Sequence, residues 1–486
     1  GGFCRATYFM VKFLRTAVES YKRTIEMIWF LLQKIGFFVF LFFTIYFVCR
    51  RKYESLLTLY FWGLTFATCY YYAFTIWFPV KVVALGMILC LFFKRNKRSS
   101  PSFKIILPFV LSFVLIVFFS DLVGLLSPGI YATHINRYIR MFNSNYTYIT
   151  TILLLFYGLI LRRGFVKHLF PSYCLAVEIA IAFGLIHFIC LKLGIGFIPI
   201  LRQDGSVNLE ALAEMGGRIV PRIYGVSGEP KSLGFLICPY LFASLVMYRS
   251  GVYRINRLYH QITLLLGTFV LINTYSSSAL INFFLAFPLI LILLPFPRIS
   301  YKTATIIVLF VIASCLWILK SETNIYQHGI TNDDSYVTQL YDRTFGRAQT
   351  EMENDRQESV ILEHFVTENS LVHILFGWGV SQYTFHVPGQ TVGNSLIPVQ
   401  SGLVLTIADF GLMGLLLLLF MGFVILKLLR LSRQANNIYA LAFSAATLSA
   451  FIGSLMFGSI VTCLIYMMMA LYAYYDEREL VLKKNR

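Results

Sequence analysis

Charge is scarce in this chain. Asp, Glu, Lys and Arg together make up 13% of its 486 residues, against about 25% in an average soluble domain. A water-soluble globular protein is thereby excluded. Alternating apolar and polar residues in segments of about ten, which a transmembrane barrel needs, are also missing. The nine cysteines show no metal-ligand spacing, and none lies in the two long polar stretches 194–232 and 320–397. No disulfide or structural zinc is therefore expected, and no cofactor is expected. No repeat with a period of about 20–50 residues is visible. No cleavable leader is expected, and the leading Gly1–Gly2 reads as a cloning remnant.

What is abundant is apolar and aromatic. Hydrophobic residues reach 58%, with 46 Phe and 30 Tyr, the tyrosines often at the ends of apolar runs, where interfacial aromatics belong. The expected fold class is an all-α polytopic membrane protein. Candidate spans are 27–49, 55–78, 79–93, 103–126, 146–161, 171–193, 233–248, 261–275, 278–296, 303–319 and 398–426. The run 438–474 is too long for one helix, and its "FIGS" and "FGS" near 451–459 predict a tight hairpin. The total is about 12 to 14 transmembrane helices, each of roughly 20 apolar residues.

The net charge of +18 resides mostly in short runs between spans, such as "CRRK" (49–52), "KRNKR" (94–98), "RRGFVKH" (162–168) and "RINR" (254–257). That is the positive-inside pattern, and it argues against nucleic acid as a partner. Placing these runs in the cytoplasm leaves the two long stretches outside. The expected organisation is an amphipathic N-terminal segment (1–26), N-terminal spans (27–193), a first outer loop (194–232), central spans (233–319), a second outer loop (320–397), C-terminal spans (398–475) and a tail (476–486). Residues 3–26 carry Lys12, Arg15, Lys22 and Arg23 between apolar neighbours and read as an interfacial helix. The second loop looks helical over about 347–375 and is expected to lie as a lid over a cavity between the helices.

The outer loops carry the polar chemistry. "RIYGVSGEPKSLG" (222–234) sets Arg222, Glu229 and Lys231 beside a membrane span. Cations on the outer side run against the positive-inside trend. Arg218 and Arg222 are either snorkelling from a helix end or binding an anion, for which the guanidinium fork suits phosphate oxygens. Gly216, Gly217, Gly225 and Gly228 would let backbone N–H groups approach the same anion, and Lys231 adds charge at the positive end of the helix starting near Leu233. Glu229 either caps that helix or acts as a general base. In the second loop, Arg343, Arg347 and Arg356 sit among acids, and Arg356 precedes an "FGWG" turn (376–379) that folds the segment back toward the membrane. His364, His373 and His386 lack metal spacing and are expected to be surface or packing residues, and "TYSSSALINF" (274–283) a structural turn.

Three pieces, in order, resemble one family: "RIYGVSGEP" (222–230), Arg356 followed by "LFGWG" (375–379), and "VQSGLVLTIADFGLMG" (399–414). The chain is similar to Wzy-type polymerases of the O-antigen polymerase and ligase superfamily over about 200–475. Ligases of that superfamily carry a His-Asn pair at the start of the last of these helices. Aligned on Asp409, Gly411 and Gly414, this chain has Gln400 and Ser401 there, and Gln cannot accept a proton as His can. The resemblance implies a GT-C-like glycosyltransferase in the inner membrane. Its site would face the periplasm and move a growing glycan from undecaprenyl diphosphate to another lipid-linked repeat unit. It implies Arg222 and Arg356 as diphosphate-binding catalytic residues, with Arg218 beside them; Lys231 joins them on chemical grounds, and Glu229 is the expected base. Donor and acceptor are undecaprenyl-diphosphate-linked oligosaccharides, the bilayer is a partner, and a chain-length regulator is the protein partner implied. No metal is implied, since no Asp-x-Asp pattern occurs in the outer loops. A ligase transferring the glycan to a lipid A-core acceptor, or a flippase for lipid-linked oligosaccharides, are the alternatives.

Overall fold

A computed structural model describes residues 38–65, 79–93, 101–127, 164–193, 211–215, 218–227, 229–293, 357–368, 370–387, 401–457 and 460–484, with isolated positions and short strands between them. The segment 1–26, the spans expected at 146–161 and 303–319, and Arg343, Arg347 and Arg356 lie outside the described residues. The helices are α1 (Phe38–Cys49), α2 (Tyr53–Thr65), α3 (Pro79–Phe93), α4 (Pro101–Leu126), α5 (Val166–Leu193), α6 (Pro230–Arg249), α7 (Arg257–Asn273), α8 (Ser277–Leu293), α9 (Gln357–Val366), α10 (Leu371–Phe376), α11 (Gly402–Gln434), α12 (Ile438–Phe457) and α13 (Ile460–Lys484).

Among the described residues, four helices are long and apolar enough to cross a membrane: α5, α6, α11 and the Ile438–Leu455 part of α12. The chain is a membrane-embedded, all-α bundle. Its only strands among the described residues are short antiparallel pairs in the loops: β1 (Ile200–Leu201) with β2 (Val207–Asn208), β3 (Ala211–Met215) with β4 (Arg218–Arg222), and β5 (Thr391–Val392) with β6 (Ser395–Leu396). The first outer loop is thus partly a hairpin, with Ala211 opposite Arg222 and Met215 opposite Arg218.

The expected hairpin over 438–474 is α12 followed by α13, and α12 is the hub, packing on α13, α6, α11 and α8. Its apolar window is 72% buried, against 39% in α5 and α11, so α12 is central and the other two are peripheral. Small residues explain this. Ala440, Ala442, Ala445, Ala446, Ser449 and Ala450 let neighbouring backbones approach closely. Leu416, Leu419 and Phe423 of α11, and Leu115 and Phe118 of α4, stay exposed and form lipid-facing surface.

Polar ties close the end of the bundle that carries the basic runs. The Gly164 N–H donates to both carboxylate oxygens of Asp476, at 2.8 and 2.7 Å. Arg254, expected only as a topology-setting cation, is ion-paired with Glu178. Glu178 also accepts from Tyr259 Oη at 2.8 Å and from Tyr240 Oη at 3.2 Å.

Expected and observed boundaries differ in instructive ways. The helix expected from Leu233 starts at Pro230, because proline at N1 is preorganised for a helix. The span expected to end at 426 runs to Gln434 as α11.

That helix is broken inside. Gly411 has φ +60° and ψ −146°, a region essentially reserved for glycine. Carbonyls near the break need donors. The Trp378 N–H donates to Ala408 O at 2.9 Å, and Ser120 Oγ donates to Asp409 O. The "FGWG" turn therefore does fold back into the bundle, as a wedge in the α11 break. Asp409 Oδ1 fixes the wedge by accepting the Ser381 N–H at 2.9 Å.

Candidate functional site

The stretch 222–231 joins the loop-one hairpin to α6. Arg222 ends β4 and is half-buried. Its Nε donates to the Thr274 carbonyl at 3.1 Å, in the turn between α7 and α8. The next N–H, from Ile223, donates to Asn273 O at 3.2 Å. The guanidinium is therefore oriented by backbone at the end of α7, which is unlike a side chain snorkelling from a helix end. Arg218 opens β4 on the same strand; its side chain lies outside the described residues.

One expectation is corrected here. The Gly225 N–H does not face an anion. Together with the Tyr224 N–H it points into the core and donates to His187 Nδ1, at 3.3 and 3.2 Å. The His187 ring stacks on Phe197 at 4.3 Å. A single buried imidazole thus takes up the donors that a glycine-rich loop seemed to offer a phosphate. Gly216, Gly217 and Gly228 lie outside the described residues.

Glu229 occupies the N-cap position of α6 but makes no side-chain cap bond. Its backbone carbonyl accepts the Leu233 N–H at 3.0 Å, and its carboxylate is exposed. Lys231, in the first turn, is half-buried with Nζ 5.9 Å from the centre of the Phe235 ring. α6 packs on α12, and the far end of α12 meets the start of α11, where Ser401 Oγ donates to Leu455 O at 3.3 Å. The Ser401 N–H in turn donates to Glu358 Oε1 at 3.3 Å. Glu358 is two residues past Arg356, so the segment after Arg356 docks on the helix start that resembled the third family motif. Ser401 itself is the N-cap of α11, accepting the Val404 N–H at 3.3 Å.

The second loop holds a polar cluster that sequence reading passed over. Ser370 caps α10, which fixes His373 on that helix. Ser127 Oγ, just past α4, lies 2.7 Å from His373 Nε2. His373 Nδ1 lies 3.2 Å from Glu368 Oε2. A carboxylate accepts only, so Nδ1 carries a proton; in the neutral ring Nε2 then accepts from the serine hydroxyl. Glu368 is held by two further donors, Trp378 Nε1 at 3.1 Å and the Ser370 N–H at 3.0 Å. His373 was expected to be a surface or packing residue; it is the middle of a serine–histidine–glutamate relay. His364 and His386 do pack, with ring centres 5.6 and 6.2 Å from that of Trp378.

Ser127 and His373 are 246 residues apart, so no local spacing signals their pairing. Two acids inside apolar runs were the available signal, since ionisable groups within spans mark functional or structural sites. They are Asp409, which pins the wedge, and Asp121, whose carboxylate accepts from Asn145 Nδ2 at 2.6 Å and from the Val380 N–H at 3.4 Å.

Burial pushes the Glu368 carboxyl up, but hydrogen bonds from Trp378, Ser370 and His373 outweigh it and hold the group below its ordinary value. A depressed folded-state pKa stabilises fully above the ordinary carboxylate range and is lost as pH falls through the folded value. The expected result is that the melting temperatures of wild type and Glu368→Gln, well separated at neutral pH, begin to approach each other only below the ordinary carboxylate range and meet once the pH is under the lowered folded value.

Among the described residues no group of three or more His, Cys, Asp or Glu could hold a metal ion. Compared with known proteins, the chain matches no family model and no curated protein sequence.

Proposed function

We propose that this chain is a glycosyltransferase of the Wzy polymerase type, with a GT-C-like arrangement of its membrane helices. It would transfer a growing glycan from undecaprenyl diphosphate to a second lipid-linked repeat unit at the periplasmic face of the inner membrane. The observation that carries this reading is Arg222: a half-buried guanidinium held by the Thr274 carbonyl, nine residues before the half-buried Lys231 that opens α6.

In such a transfer the bond between the anomeric carbon and the diphosphate oxygen breaks, and negative charge grows on the diphosphate. Cations fixed in advance favour that step without reorganising. Arg222, Arg218 and Lys231 supply that charge, with Arg356 assigned to it from the family resemblance. The acceptor hydroxyl gives up a proton. Glu229, whose side chain is exposed and makes no cap bond, is our assignment for the base, and the His373–Glu368 pair is the second group with the chemistry to take it. The capping duty of Ser401, at the position where ligases carry their His-Asn pair, supports a polymerase over a ligase.

The test is purified protein in lipid nanodiscs with undecaprenyl-diphosphate-linked repeat units. A ladder of glycans growing by whole repeats is expected. Absence of a ladder, with the lipid instead moving between leaflets in proteoliposomes, would replace the enzyme with a flippase.

A further inference from the structure

We propose that the side-chain amide of Asn282 is a sugar-hydroxyl subsite adjoining the cationic stretch, so that Arg222 and Lys231 take the diphosphate while Asn282 takes the first sugar; this rests on the polymerase reading.

The starting point is an amide with nothing to bond. Asn282, in the second turn of α8, is fully buried, and neither Oδ1 nor Nδ2 has a hydrogen-bond partner. The other buried asparagines show what the fold does when an amide is structural. Asn273 Nδ2 donates to Phe269 O at 2.8 Å. Asn437 donates to Ala473 O at 3.0 Å and accepts the Ala440 N–H at 2.9 Å. An apolar side chain at 282 would avoid the desolvation that an unpaired amide suffers in a helical core. Buried polar groups left without partners call for an explanation outside packing. Asn145 Oδ1 is also without a partner, but its Nδ2 is bonded to Asp121, whereas both ends of the Asn282 amide are unmet. Ser432 and Ser449 are unpaired too, but a hydroxyl can turn to a neighbouring carbonyl of its own helix. An amide must satisfy a donor and an acceptor at once.

The surroundings point to a sugar. One turn along α8 toward its start, Ser278 is hydrogen-bonded to Ser276 at 3.1 Å. The Ser276 N–H lies 3.3 Å from Thr274 Oγ1, and the Thr274 carbonyl holds Arg222. On the other side, Phe235 lies under Lys231. A Cβ placed on Gly453 of α12 would stand 2.8 Å from Asn282 Nδ2 and 2.9 Å from the Phe235 ring. Cations, hydroxyls, an aromatic face and an amide thus follow one another from the start of α6 into the bundle. A neutral amide suits vicinal hydroxyls, each able to donate and accept, and adds nothing for a diphosphate. The subsite requires α8 and α12 to separate at Gly453, where they now pack too closely for a Cβ to fit.

The test uses thermal shift in detergent, on wild type and Asn282→Leu, with undecaprenyl diphosphate and with undecaprenyl diphosphate carrying one repeat unit. Leucine is close in volume and needs no partner. Without ligand, Asn282→Leu should melt at the wild-type temperature or higher. Undecaprenyl diphosphate should shift both proteins equally. The sugar-bearing lipid should bind wild type about tenfold more tightly than undecaprenyl diphosphate does, and Asn282→Leu should lose that increment. Asn282→Thr, retaining one hydroxyl, should recover part of it. A lower melting temperature for unliganded Asn282→Leu would show a structural amide and overturn the proposal, as would an undiminished sugar increment. Wild type that responds to neither lipid would instead remove the polymerase reading, and the subsite with it.

Discussion

On the polymerase reading, Arg222→Ala should lower the rate of chain extension by about two to three orders of magnitude, the size expected when a preorganised charge is removed from a leaving group. Arg222→Lys recovers little of it. The guanidinium has donors on three nitrogens, and Nε is committed to the Thr274 carbonyl, which aims the planar group. Lysine offers one mobile ammonium that cannot hold the carbonyl and present a planar fork to phosphate together. The readout is the rate of ladder growth in nanodiscs, with the melting temperature as control. Arg222 is half-buried at a strand end, and losing its bond to Thr274 is worth about 1 kcal/mol of stability, too little to unfold the protein. A full-rate ladder from Arg222→Ala would remove the diphosphate assignment, whatever the variant's stability.

The largest stability effect is expected at the wedge. Gly377 has φ +74° and ψ −168°, and Gly411 has φ +60° and ψ −146°. The two face one another. A Cβ on Gly377 would lie 2.5 Å from the Asp409 carbonyl atoms, and one on Gly411 would lie 2.5 Å from Ile374 O and 2.6 Å from the Gly377 N. Backbone cannot yield as a flexible side chain can. Each alanine substitution thus combines a forbidden backbone region with a backbone clash, and we expect a loss of about 3 kcal/mol or more for each. Since either change breaks the same contact, the double variant should be far from additive. Thermal melts of Gly377→Ala, Gly411→Ala and the pair measure this; near-wild-type melting of either single variant would show that the wedge contributes little.

Much of this arrangement was legible in the sequence, and the reasons are local. The apolar runs mark the helices because burying a backbone in lipid leaves no other choice. The end of α12 near 457 and the "FGWG" turn were legible because small residues and glycines cluster there, although Gly453 itself stays within α12. The polar stretch at 222–231 stood out against its apolar flanks. What stayed hidden depends on partners far along the chain. His187 captures the Gly225 N–H from another helix, so a loop that looked made for an anion has an inward-turned backbone. Ser127, Glu368 and His373 become a relay only after α4 and α10 pack together. The α11 break was hidden because Gly411 sits in an otherwise helical pattern, and only the Trp378 N–H reveals what the glycine accommodates. Asn282 read as one polar letter in a turn-and-helix segment, and its lack of partners is a property of the packed state alone.

The wedge also bears on how the stretch 377–381 can move. The Trp378 N–H is held at Ala408 in the α11 break and the Ser381 N–H is tied to Asp409, so this turn travels with α11. A shift of α11 at its break is carried directly into the turn through two backbone donors, and a substitution in one is felt in the other.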